Sequence, residues 1–288
     1  MTSVKKTKLG AGLYFVATPI GNARDITLRS LDILASADVL AAEDTRSLRK
    51  LMDIHGVPLE GRGILAYHDH NGDAQRPKLL KALEEGRSVA YASEAGTPLI
   101  ADPGYDLSRS AASEGHLVTA APGASAILAA LTIAGLPTDR FLFAGFLPSS
   151  GSARKTALRE LRDVPATLVF YESPKRAGKS LRDMSEVLGG DREAVLAREL
   201  TKKFEEIRRG TLDDLGEGVA ERPPKGECVI LVTRAKKQEV DSISMEKMII
   251  EELKSSSLKD AVATVVADTG LPRRQVYQAA LALSKEDG

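Results

Sequence analysis

Short apolar runs that end in turns rich in glycine, proline and serine alternate with helical patterns along most of this 288-residue chain. Strands that alternate with helices in this way are typical of an α/β sheet. The first five strand candidates are Leu13 to Ala17, Val39 to Ala42, Ile64 to Tyr67, Val89 to Ala92 and Leu117 to Thr119. The pattern predicts an α/β fold in which the loops after these strands open on one edge of a sheet.

Two helices are predicted to cover this sheet. Asp25 is the predicted N-cap of the first helix, in which Leu28, Leu31 and Leu34 recur every third residue and would face the core. The second helix spans Ala74 to Glu85 and carries leucines on one side.

The strand pattern starts again after position 139. The further strand candidates are FLFAGF, ATLVFYES, EAVLARE and GECVILVTR, with helices predicted over Ala153 to Leu161 and Lys175 to Leu188. From about Lys236 the β-type runs stop, and two helical segments follow that are separated by DTGLPRR. A chain of this length exceeds one usual domain. We therefore predict an N-terminal α/β domain over residues 1–137, a second α/β domain over 138–236 and a small helical unit over 237–288.

The charge and the cysteine content of the chain limit its possible functions only loosely. Forty Lys and Arg residues offset forty Asp and Glu residues, so the net charge neither requires nor excludes a nucleic-acid partner. The single cysteine, Cys228, excludes an internal disulfide and a multi-cysteine metal cluster, and it fits a reducing compartment. No stretch reaches the roughly eighteen consecutive apolar residues of a membrane span. A cytoplasmic protein with no membrane partner is expected.

The stretch SEAGTPLIADPG at positions 93–104 follows the fourth strand candidate. Gly96 and Gly104 allow backbone contacts that a side chain would block, and Pro98 and Pro103 stiffen the loop. Such a loop can hold a ligand against its backbone, although irregular turns without a ligand have the same composition. Similar loops follow the neighbouring strands, and FYESPKR and ARELTKKFEE follow strands of the second domain. A ligand site in a cleft between two domains is predicted.

Three shorter motifs suggest familiar sites that their context excludes. The sequence GAG at 10–12 precedes its strand, whereas a dinucleotide fingerprint follows one. AGKS at 177–180 has Ser173 where a phosphate loop needs a glycine. HDH at 68–70 has no third His or Cys at a useful spacing, so no metal site is expected.

A series of motifs carries a family resemblance. In chain order they are TPIGNARDIT, AAEDTR, HDHN, SEAGTPLIADPG, PGASA, AGLPTDRFLFAGFLP, FYES, ARELTK and GECVILV. Together they resemble the ribosomal RNA small subunit methyltransferase I family, within the wider tetrapyrrole methylase fold, from about Leu13 to Val232. The tail LKDAVATVVADTGLPRRQVYQAAL is similar to the small helix-turn-helix-like unit that ends many members.

The resemblance implies a two-domain α/β protein that binds S-adenosyl-L-methionine between its domains, without a metal. It further implies 2'-O-methylation of a cytidine in 16S ribosomal RNA, within the small ribosomal subunit, by a homodimer. The residues that this resemblance assigns to the methyl donor are Pro19, Ser93, Glu94, Ala95, Gly96, Thr97, Pro98, Asp102, Pro103, Gly104, Pro122, Gly123, Ala124, Tyr171, Glu172, Glu227 and Cys228. Glu94 departs from the family, which usually has Asp there, so the role of that carboxylate is open.

Methylation of a ribose hydroxyl calls for a general base, or for cations that stabilise the developing alkoxide. Candidates lie in the loops after the strands, and each can instead position RNA or form a structural ion pair. The catalytic candidates are Glu43, Asp44, Arg46 and Glu199, and His68 and His70 are also considered. The residues expected to contact RNA are Asn22, Arg24, His68, His70, Asn71, Lys202, Arg273 and Arg274.

Two other functions remain open at this point. A methyltransferase acting on a small tetrapyrrole would share the fold, although such enzymes generally have a first loop like GPGDP and lack the helical tail. A non-catalytic nucleic-acid-binding protein would explain the tail, with its paired arginines before a helix, but would leave the larger part of the chain unexplained.

Overall fold

The computed structural model describes residues 4–68, 71–101, 104–235, 242–269 and 271–286. The chain divides into two compact units, Met1–Ala235 and Lys236–Gly288. The larger unit contains two five-stranded sheets with helices packed on them, which confirms the predicted α/β class.

The first sheet is parallel throughout and has the strand order β3-β2-β4-β1-β5. Its strands are β1 Gly12–Val16, β2 Val39–Ala42, β3 Ile64–Ala66, β4 Ser88–Ala92 and β5 Val118–Ala121. The helices that follow them are α1 Leu28–Ser36, α2 Thr45–Ile54, α3 Gly72–Glu84, α4 Tyr105–Ser113 and α5 Ala126–Ala134, with a short 3-10 helix at Ala23–Asp25. Because the strands are parallel, the loops after them lie at one edge of the sheet, as predicted.

Alternate residues of each strand point to opposite faces of this sheet, and both faces are covered. On one face, Val16 and Leu40 pack with residues of α1 and α2. On the other, Phe15 and Tyr91 pack with residues of α3 and α4, and their rings meet edge to face with centroids 5.6 Å apart. Two-sided burial explains why these strands are almost uniformly apolar in the sequence.

The start of α1 differs from the prediction. Thr27, not Asp25, is the N-cap, because its hydroxyl accepts a hydrogen bond from Ser30 N at 3.1 Å, whereas Asp25 ends the preceding 3-10 helix. Leu31 and Leu34 are buried, but Leu28 is 59% exposed at the first position of the helix. The every-third-residue pattern therefore extended one turn too far toward the N-terminus.

The second sheet is mixed and has the order β6-β7-β10-β8-β9. Its strands are β6 Phe141–Phe146, β7 Thr167–Glu172, β8 Glu193–Arg198, β9 Glu206–Thr211 and β10 Cys228–Val232, and its helices are α6 Gly151–Leu161, α7 Pro174–Leu188 and α8 Leu212–Glu221. Strands β6 and β7 are parallel, while the other pairs are antiparallel. The last strand in the chain, β10, thus lies at the centre of the sheet.

Strand β9 and helix α8 were not predicted from the sequence. The strand reads EIRRGT and lies at the sheet edge, where charged residues such as Arg208 and Arg209 are common because they disfavour pairing with another chain. Such an edge strand lacks the apolar run on which the prediction relied.

Helix α5 links the two sheets. It follows the first sheet in the chain, yet Ile127 and Leu131 pack against Val195 and Val229 of the second. The division at residue 137 stays a prediction, since each side of it has its own sheet while α5 packs across it.

The described residues of the smaller unit form three helices where two were predicted: α9 Ser242–Leu253, α10 Leu258–Thr269 and α11 Arg273–Glu286. Ser257 separates the first two, because its hydroxyl accepts from Asp260 N at 3.3 Å and donates to the Asp260 carboxylate at 2.6 Å. Such local caps begin helices efficiently. Val262, Val265 and Val276 are buried between the helices, whereas Gly270, in the segment DTGLPRR that was predicted to separate two helices, lies outside the described residues.

Candidate active site

A cavity of about 700 Å³ lies between the loops of the first sheet and the ends of strands in the second. Small-molecule sites typically have volumes of about 300–1,000 Å³. The cavity-lining residues are Ile20, Glu94, Ala95, Gly96, Thr97, Ile100, Ala101, Ser125, Ala126, Phe146, Tyr171, Glu172, Ser173, Pro174, Glu199, Lys202, Gly226, Glu227, Cys228 and Val229. Both sheets therefore contribute to one cavity at the predicted cleft.

The loop after β4 is held by hydrogen bonds from its backbone and from nearby hydroxyls. Gly96 N donates to Thr18 O at 3.0 Å, and Thr18 N donates to Gly96 O at 2.9 Å. The Ser93 hydroxyl donates to Gly96 O at 2.6 Å, and the Thr97 hydroxyl donates to Ala124 O at 3.0 Å. Gly96 has a φ of 87°, a left-handed conformation that favours glycine. The loop therefore presents a fixed backbone to the cavity.

The opposite wall contains a lysine between two glutamates. Lys202 Nζ donates to Glu199 Oε1 at 3.0 Å and to Glu227 Oε2 at 2.8 Å. The same Glu199 oxygen also accepts from Glu227 N at 3.1 Å. Gly226, with a φ of 81°, has no room for a side chain, because a Cβ there would lie 2.1 Å from Glu199 Oε1. This packing fixes the loop after β8 against the start of β10.

The charges of this wall stabilise one another. The hydrogen bond from Lys202 is the largest cause that lowers the pKa of the Glu199 carboxyl. Burial alone would lower the pKa of the Lys202 ammonium, but its hydrogen bonds with Glu227 and Glu199 outweigh this and raise that pKa. Both groups are therefore ionised near neutral pH.

Glu94 lies on the first-sheet wall in a different electrostatic environment. Its backbone N donates to Glu43 Oε2 at 3.0 Å, which places a second carboxylate beside it. Partial desolvation, followed by the negative charges of Glu43, Asp44 and Glu227, raises the pKa of the Glu94 carboxyl. Carboxyls with a raised pKa beside a cavity are typical candidates for proton transfer.

Glu172 contributes to the cavity wall but is fixed by other contacts. Its buried carboxylate accepts from Ser173 N at 2.8 Å and from the Ser180 hydroxyl at 2.5 Å. Arg176 Nε lies 3.3 Å from the same carboxylate. These contacts hold the end of β7 against the first turns of α7.

The residues predicted for the methyl donor divide into three groups. Those that line the cavity are Glu94, Ala95, Gly96, Thr97, Tyr171, Glu172, Glu227 and Cys228. Those that lie in the same or adjoining loops without lining it are Pro19, Ser93, Pro98, Gly104, Pro122, Gly123 and Ala124. Asp102 and Pro103 lie outside the described residues.

Two catalytic candidates occupy the start of α2, away from the cavity lining. The Asp44 carboxylate accepts from Arg46 N at 2.8 Å and from Ser47 N at 3.4 Å, so it is the N-cap of that helix. These backbone donors, with Arg46 N the largest cause, lower the pKa of Asp44 despite some desolvation. The Arg46 side chain is 92% exposed. Of the other candidates, Glu199 lines the cavity and Glu43 contacts the cavity residue Glu94.

Among the predicted RNA contacts whose structure is described, only Lys202 lines the cavity. Asn22 caps the 3-10 helix through a hydrogen bond from Arg24 N at 3.1 Å, and the Arg24 side chain is exposed. Asn71 accepts from His68 N at 2.9 Å and donates to Ala66 O at 3.1 Å, so it shapes its own turn.

The remaining predicted RNA contacts lie elsewhere. His70 lies outside the described residues. Arg273 and Arg274 are exposed at the start of α11, in the smaller unit.

Ten cavity residues were not selected from the sequence. They are Ile20, Ile100, Ala101, Ser125, Ala126, Phe146, Ser173, Pro174, Gly226 and Val229. Almost all follow or end a strand, and several stand inside motifs such as TPIGN and FYESPKR. Their position at strand ends was therefore an available signal, but small and apolar residues there have no chemistry that singles them out.

Two further features of the described structure concern classes of site. No group of three or more His, Cys, Asp or Glu side chains suited to a metal ion occurs among the residues whose structure is described. Within the same part of the chain, no helix is both long and apolar enough to cross a membrane.

Two family profiles match the chain. The profile described as Tetrapyrrole (Corrin/Porphyrin) Methylases matches residues 12–216. The profile described as RsmI C-terminal HTH domain matches residues 239–284. The first match covers most of both sheets, and the second covers α9, α10 and all but the last two residues of α11.

Several relatives are similar over nearly their whole length. A protein of Mesorhizobium japonicum named ribosomal RNA small subunit methyltransferase I is 46% identical over 288 residues, which cover 100% of this chain and 97% of that protein. The proteins of the same name from Pseudomonas aeruginosa and Escherichia coli O157:H7 are 43% and 42% identical, over 93% of this chain and 96% and 94% of their own.

Solved structures with lower sequence identity share the fold of the two-sheet unit. A diphthine synthase has a TM-score of 0.60 at 16% identity, over 77% of this chain and 89% of its own. The methyltransferase CobJ has a TM-score of 0.61 at 20% identity, over 78% of this chain and 95% of its own.

Proposed function

Because this chain belongs to the ribosomal RNA small subunit methyltransferase I family, we propose that it transfers a methyl group from S-adenosyl-L-methionine to the ribose 2'-hydroxyl of a cytidine in 16S ribosomal RNA. The cavity between the two sheets supports this activity most directly, since it joins the motif SEAGTP to the ends of the second-sheet strands. A tetrapyrrole substrate is disfavoured, because proteins named as rRNA methyltransferases are 46% and 43% identical to this chain over nearly its whole length.

The cavity suits the methyl donor in shape and in charge. Ile20, Phe146 and Val229 supply apolar surface for an adenine ring and a methylene chain. The carboxylate of Glu227 suits a positively charged group of such a molecule. When bound, S-adenosyl-L-methionine supplies an electrophilic methyl group that a hydroxyl oxygen can displace in line.

Hydrogen bonds of the backbone and of Lys202 hold the two walls of the cavity in position. The paired hydrogen bonds between Gly96 and Thr18 fix the loop that faces the donor. On the second wall, Lys202 holds Glu199 and Glu227 together and keeps the β8–β9 loop in place. Both walls are thus organised before substrate arrives, which lowers the entropic cost of orientation.

Glu94 is the carboxylate that we assign to accept the hydroxyl proton. Asp44 is committed to capping α2, and Glu199 is bound by Lys202. Glu94 lines the cavity with a raised pKa, and this raises its strength as a base once it is ionised. Glu43 contributes by its hydrogen bond from Glu94 N and by its charge.

The partners follow from the same assignment. The relatives are named for the RNA of the small ribosomal subunit, which is the substrate class we propose here. Recognition of the assembled subunit, action as a homodimer and a cytoplasmic location belong to the proposal as well. Arg24, Arg273 and Arg274 are exposed cations that can meet RNA phosphates.

The deciding experiment measures methyl transfer from radiolabelled S-adenosyl-L-methionine to small ribosomal subunits that lack the modification. Deproteinised 16S RNA and uroporphyrinogen are parallel acceptors, and mass spectrometry identifies the labelled nucleoside. Label in 2'-O-methylcytidine, with the subunit as the best acceptor, is expected. Label in uroporphyrinogen, or in none of the three, would contradict the proposed substrate.

A further inference from the structure

A positively charged groove lies between α6 and α7, and none of its residues lines the cavity described above. It has a volume of about 760 Å³ and is lined by Gly151, Ser152, Arg154, Lys155, Arg159, Lys179, Arg182, Asp183 and Glu186. Five of these residues are basic and two are acidic. Since the whole chain has no net charge, this is a local excess of positive charge.

The two carboxylates of the groove are already paired. Asp183 Oδ2 lies 2.6 Å from Arg154 Nη2, and the Arg154 residue is only 4% exposed. Glu186 Oε2 lies 2.6 Å from Lys155 Nζ. These contacts also fix α6 beside α7, so the groove is a property of the packed helices.

Three cations of the groove are left without a carboxylate. Across the part of the chain that the structure describes, Arg159, Lys179 and Arg182 form no ion pair, and all three are exposed. Lys175 is a fourth exposed cation and lies four positions before Lys179 on the same helix. Residues three or four positions apart share one face of a helix, so the lysines and Arg182 form a stripe along α7.

This stripe begins at the active site. Pro174, which precedes Lys175 in the chain, lines the cavity and is the first residue of α7. The eight helical steps from Pro174 to Arg182 span about 12 Å. A stripe of this length can contact successive phosphates of a strand that leaves the cavity.

We propose that the groove between α6 and α7, with Lys175 at its cavity end, binds the phosphate backbone of the RNA that adjoins the methylated nucleotide. The inference rests on the proposed function and adds the surface that holds its substrate. Unpaired Lys and Arg side chains release counterions when they meet phosphates, and this stabilises binding without reading the sequence. The polyanionic backbone complements the unpaired cations of the groove.

The test uses the full chain with Arg159→Gln, Lys179→Gln and Arg182→Gln combined. The expected Kd for unmodified small ribosomal subunits rises about tenfold or more, equivalent to about 1.4 kcal/mol. The slope of log affinity against log salt should fall by about 2, because each phosphate of a single strand that a cation neutralises contributes about 0.7 to it. The Kd for S-adenosyl-L-methionine should stay unchanged, because none of the three residues lines the cavity.

Two control chains accompany this variant. Lys78→Gln, Lys81→Gln and Arg109→Gln combined remove the same charge from exposed positions of α3 and α4, and this chain should keep its affinity within about twofold. Arg159→Lys, Lys179→Arg and Arg182→Lys combined keep the groove charge and should retain affinity. Thermal unfolding checks that each chain is folded.

The outcomes separate the groove from the proposed function. Methyl transfer by the unaltered chain tests that function, whereas the difference between variants tests the groove. Equal loss of affinity in the groove variant and the α3–α4 control overturns the inference, and so does no loss in either. A loss seen with intact subunits but absent with deproteinised 16S RNA also overturns it, because the groove would then contact a ribosomal protein.

Discussion

At the scale of single residues, Glu94 shows how a small sequence difference acquires chemical meaning. The resemblance assigned it to the methyl donor and marked it as a longer residue where the family usually has Asp. The structure places its carboxyl at the cavity, beside Glu43 and Asp44, where desolvation and repulsion raise its pKa. Its charged form is less favourable in the folded chain, so its contribution to stability decreases as pH rises through the unfolded and then the folded pKa.

The first prediction concerns pH. If Glu94 accepts the proton, kcat/KM falls about tenfold for each pH unit below the raised pKa of the free protein. Glu43→Gln keeps a hydrogen-bond acceptor for Glu94 N but removes a negative charge, so it should move the acid limb of the profile to lower pH.

Two variants of Glu94 check this assignment. Glu94→Gln should lower kcat by about 100-fold or more and abolish the decrease in rate at low pH. Glu94→Asp, which keeps a carboxyl group, should still show that decrease. If Glu94→Gln kept the pH profile of the unaltered chain, a group other than Glu94 would be the proton acceptor.

The second prediction tests whether the donor binds close to the backbone at Gly96. Gly96→Ala and Gly115→Ala both place a Cβ at a positive φ, 87° and 80°, so both should lose about 1 kcal/mol of unfolding free energy. Only the Gly96 Cβ meets nearby atoms, with Ile20 Cγ2 at 3.3 Å beside the cavity, whereas the Gly115 Cβ meets none within 4 Å.

Calorimetric titration with S-adenosyl-L-methionine measures the difference. Gly96→Ala should weaken donor binding by about tenfold, or about 1.4 kcal/mol, and Gly115→Ala should leave it unchanged. Equal affinities of the two variants for S-adenosyl-L-methionine would mean that the loop after β4 does not form part of the donor-binding site.

At the scale of helices and strands, Asp44 shows that a residue in a chemically suggestive motif can have a structural role. The motif AAEDTRS follows a strand, and an acidic residue there is a reasonable catalytic candidate. The same residue is the natural N-cap for the helix that follows. The sequence contains both signals; the hydrogen bonds that Asp44 accepts from Arg46 N and Ser47 N establish the cap, while its catalytic role stays a prediction.

The third prediction uses this difference. Asp44→Ala should lower the free energy of unfolding by about 1 kcal/mol, while Asp44→Ser, which can still cap, should lose much less. Because the folded pKa of Asp44 is lowered, its contribution is present above the unfolded pKa and is lost as pH falls through the folded pKa.

Urea unfolding at pH 7 and methyl transfer are the two measurements. Asp44→Ser should keep methyl transfer within about threefold of the unaltered chain, since a cap contributes to stability and not to the reaction. A severe loss of kcat in a stable Asp44→Ser chain would restore Asp44 as a catalytic residue.

The elements that the sequence predicted well are those with uniform apolar burial. Val39 to Ala42 was predicted to the residue, because both faces of that interior parallel strand are largely buried. The charged edge strand β9 was missed for the opposite reason, and the third C-terminal helix was missed because a serine cap divides what looks like one helical stretch.

At the scale of the whole molecule, the candidate donor site lies entirely within one compact unit. Every cavity-lining residue falls between Ile20 and Val229, inside Met1–Ala235. Strand-end motifs and the family resemblance together selected four of the nine first-sheet residues and six of the eleven second-sheet residues that line the cavity. Unselected second-sheet residues such as Gly226 and Val229 reach the cavity because β10 lies between β7 and β8, an arrangement that the sequence order does not show.

The fourth prediction follows from this division. A chain that ends at Ala235 should bind S-adenosyl-L-methionine with the affinity of the full chain, within about threefold. Its methyl transfer to ribosomal subunits should fall if Arg273 and Arg274 contact RNA.

The control for RNA contact is the full chain with Arg273→Gln and Arg274→Gln, which should show a weaker form of the same defect. Isothermal titration gives the donor affinity, and filter binding gives the affinity for subunits. Loss of donor binding in a folded, truncated chain would mean that the smaller unit takes part in the donor site.

The central position of β10 has a consequence for synthesis of the protein. Chains emerge from the ribosome N-terminus first, and early domains can fold before later ones are made. The first sheet is complete in sequence at β5, but the second lacks its middle strand until Val232 has emerged, because β10 pairs with both β7 and β8. Gly226 to Val229 enter the cavity with that strand. A nascent chain therefore completes this cavity only after Val232 has emerged.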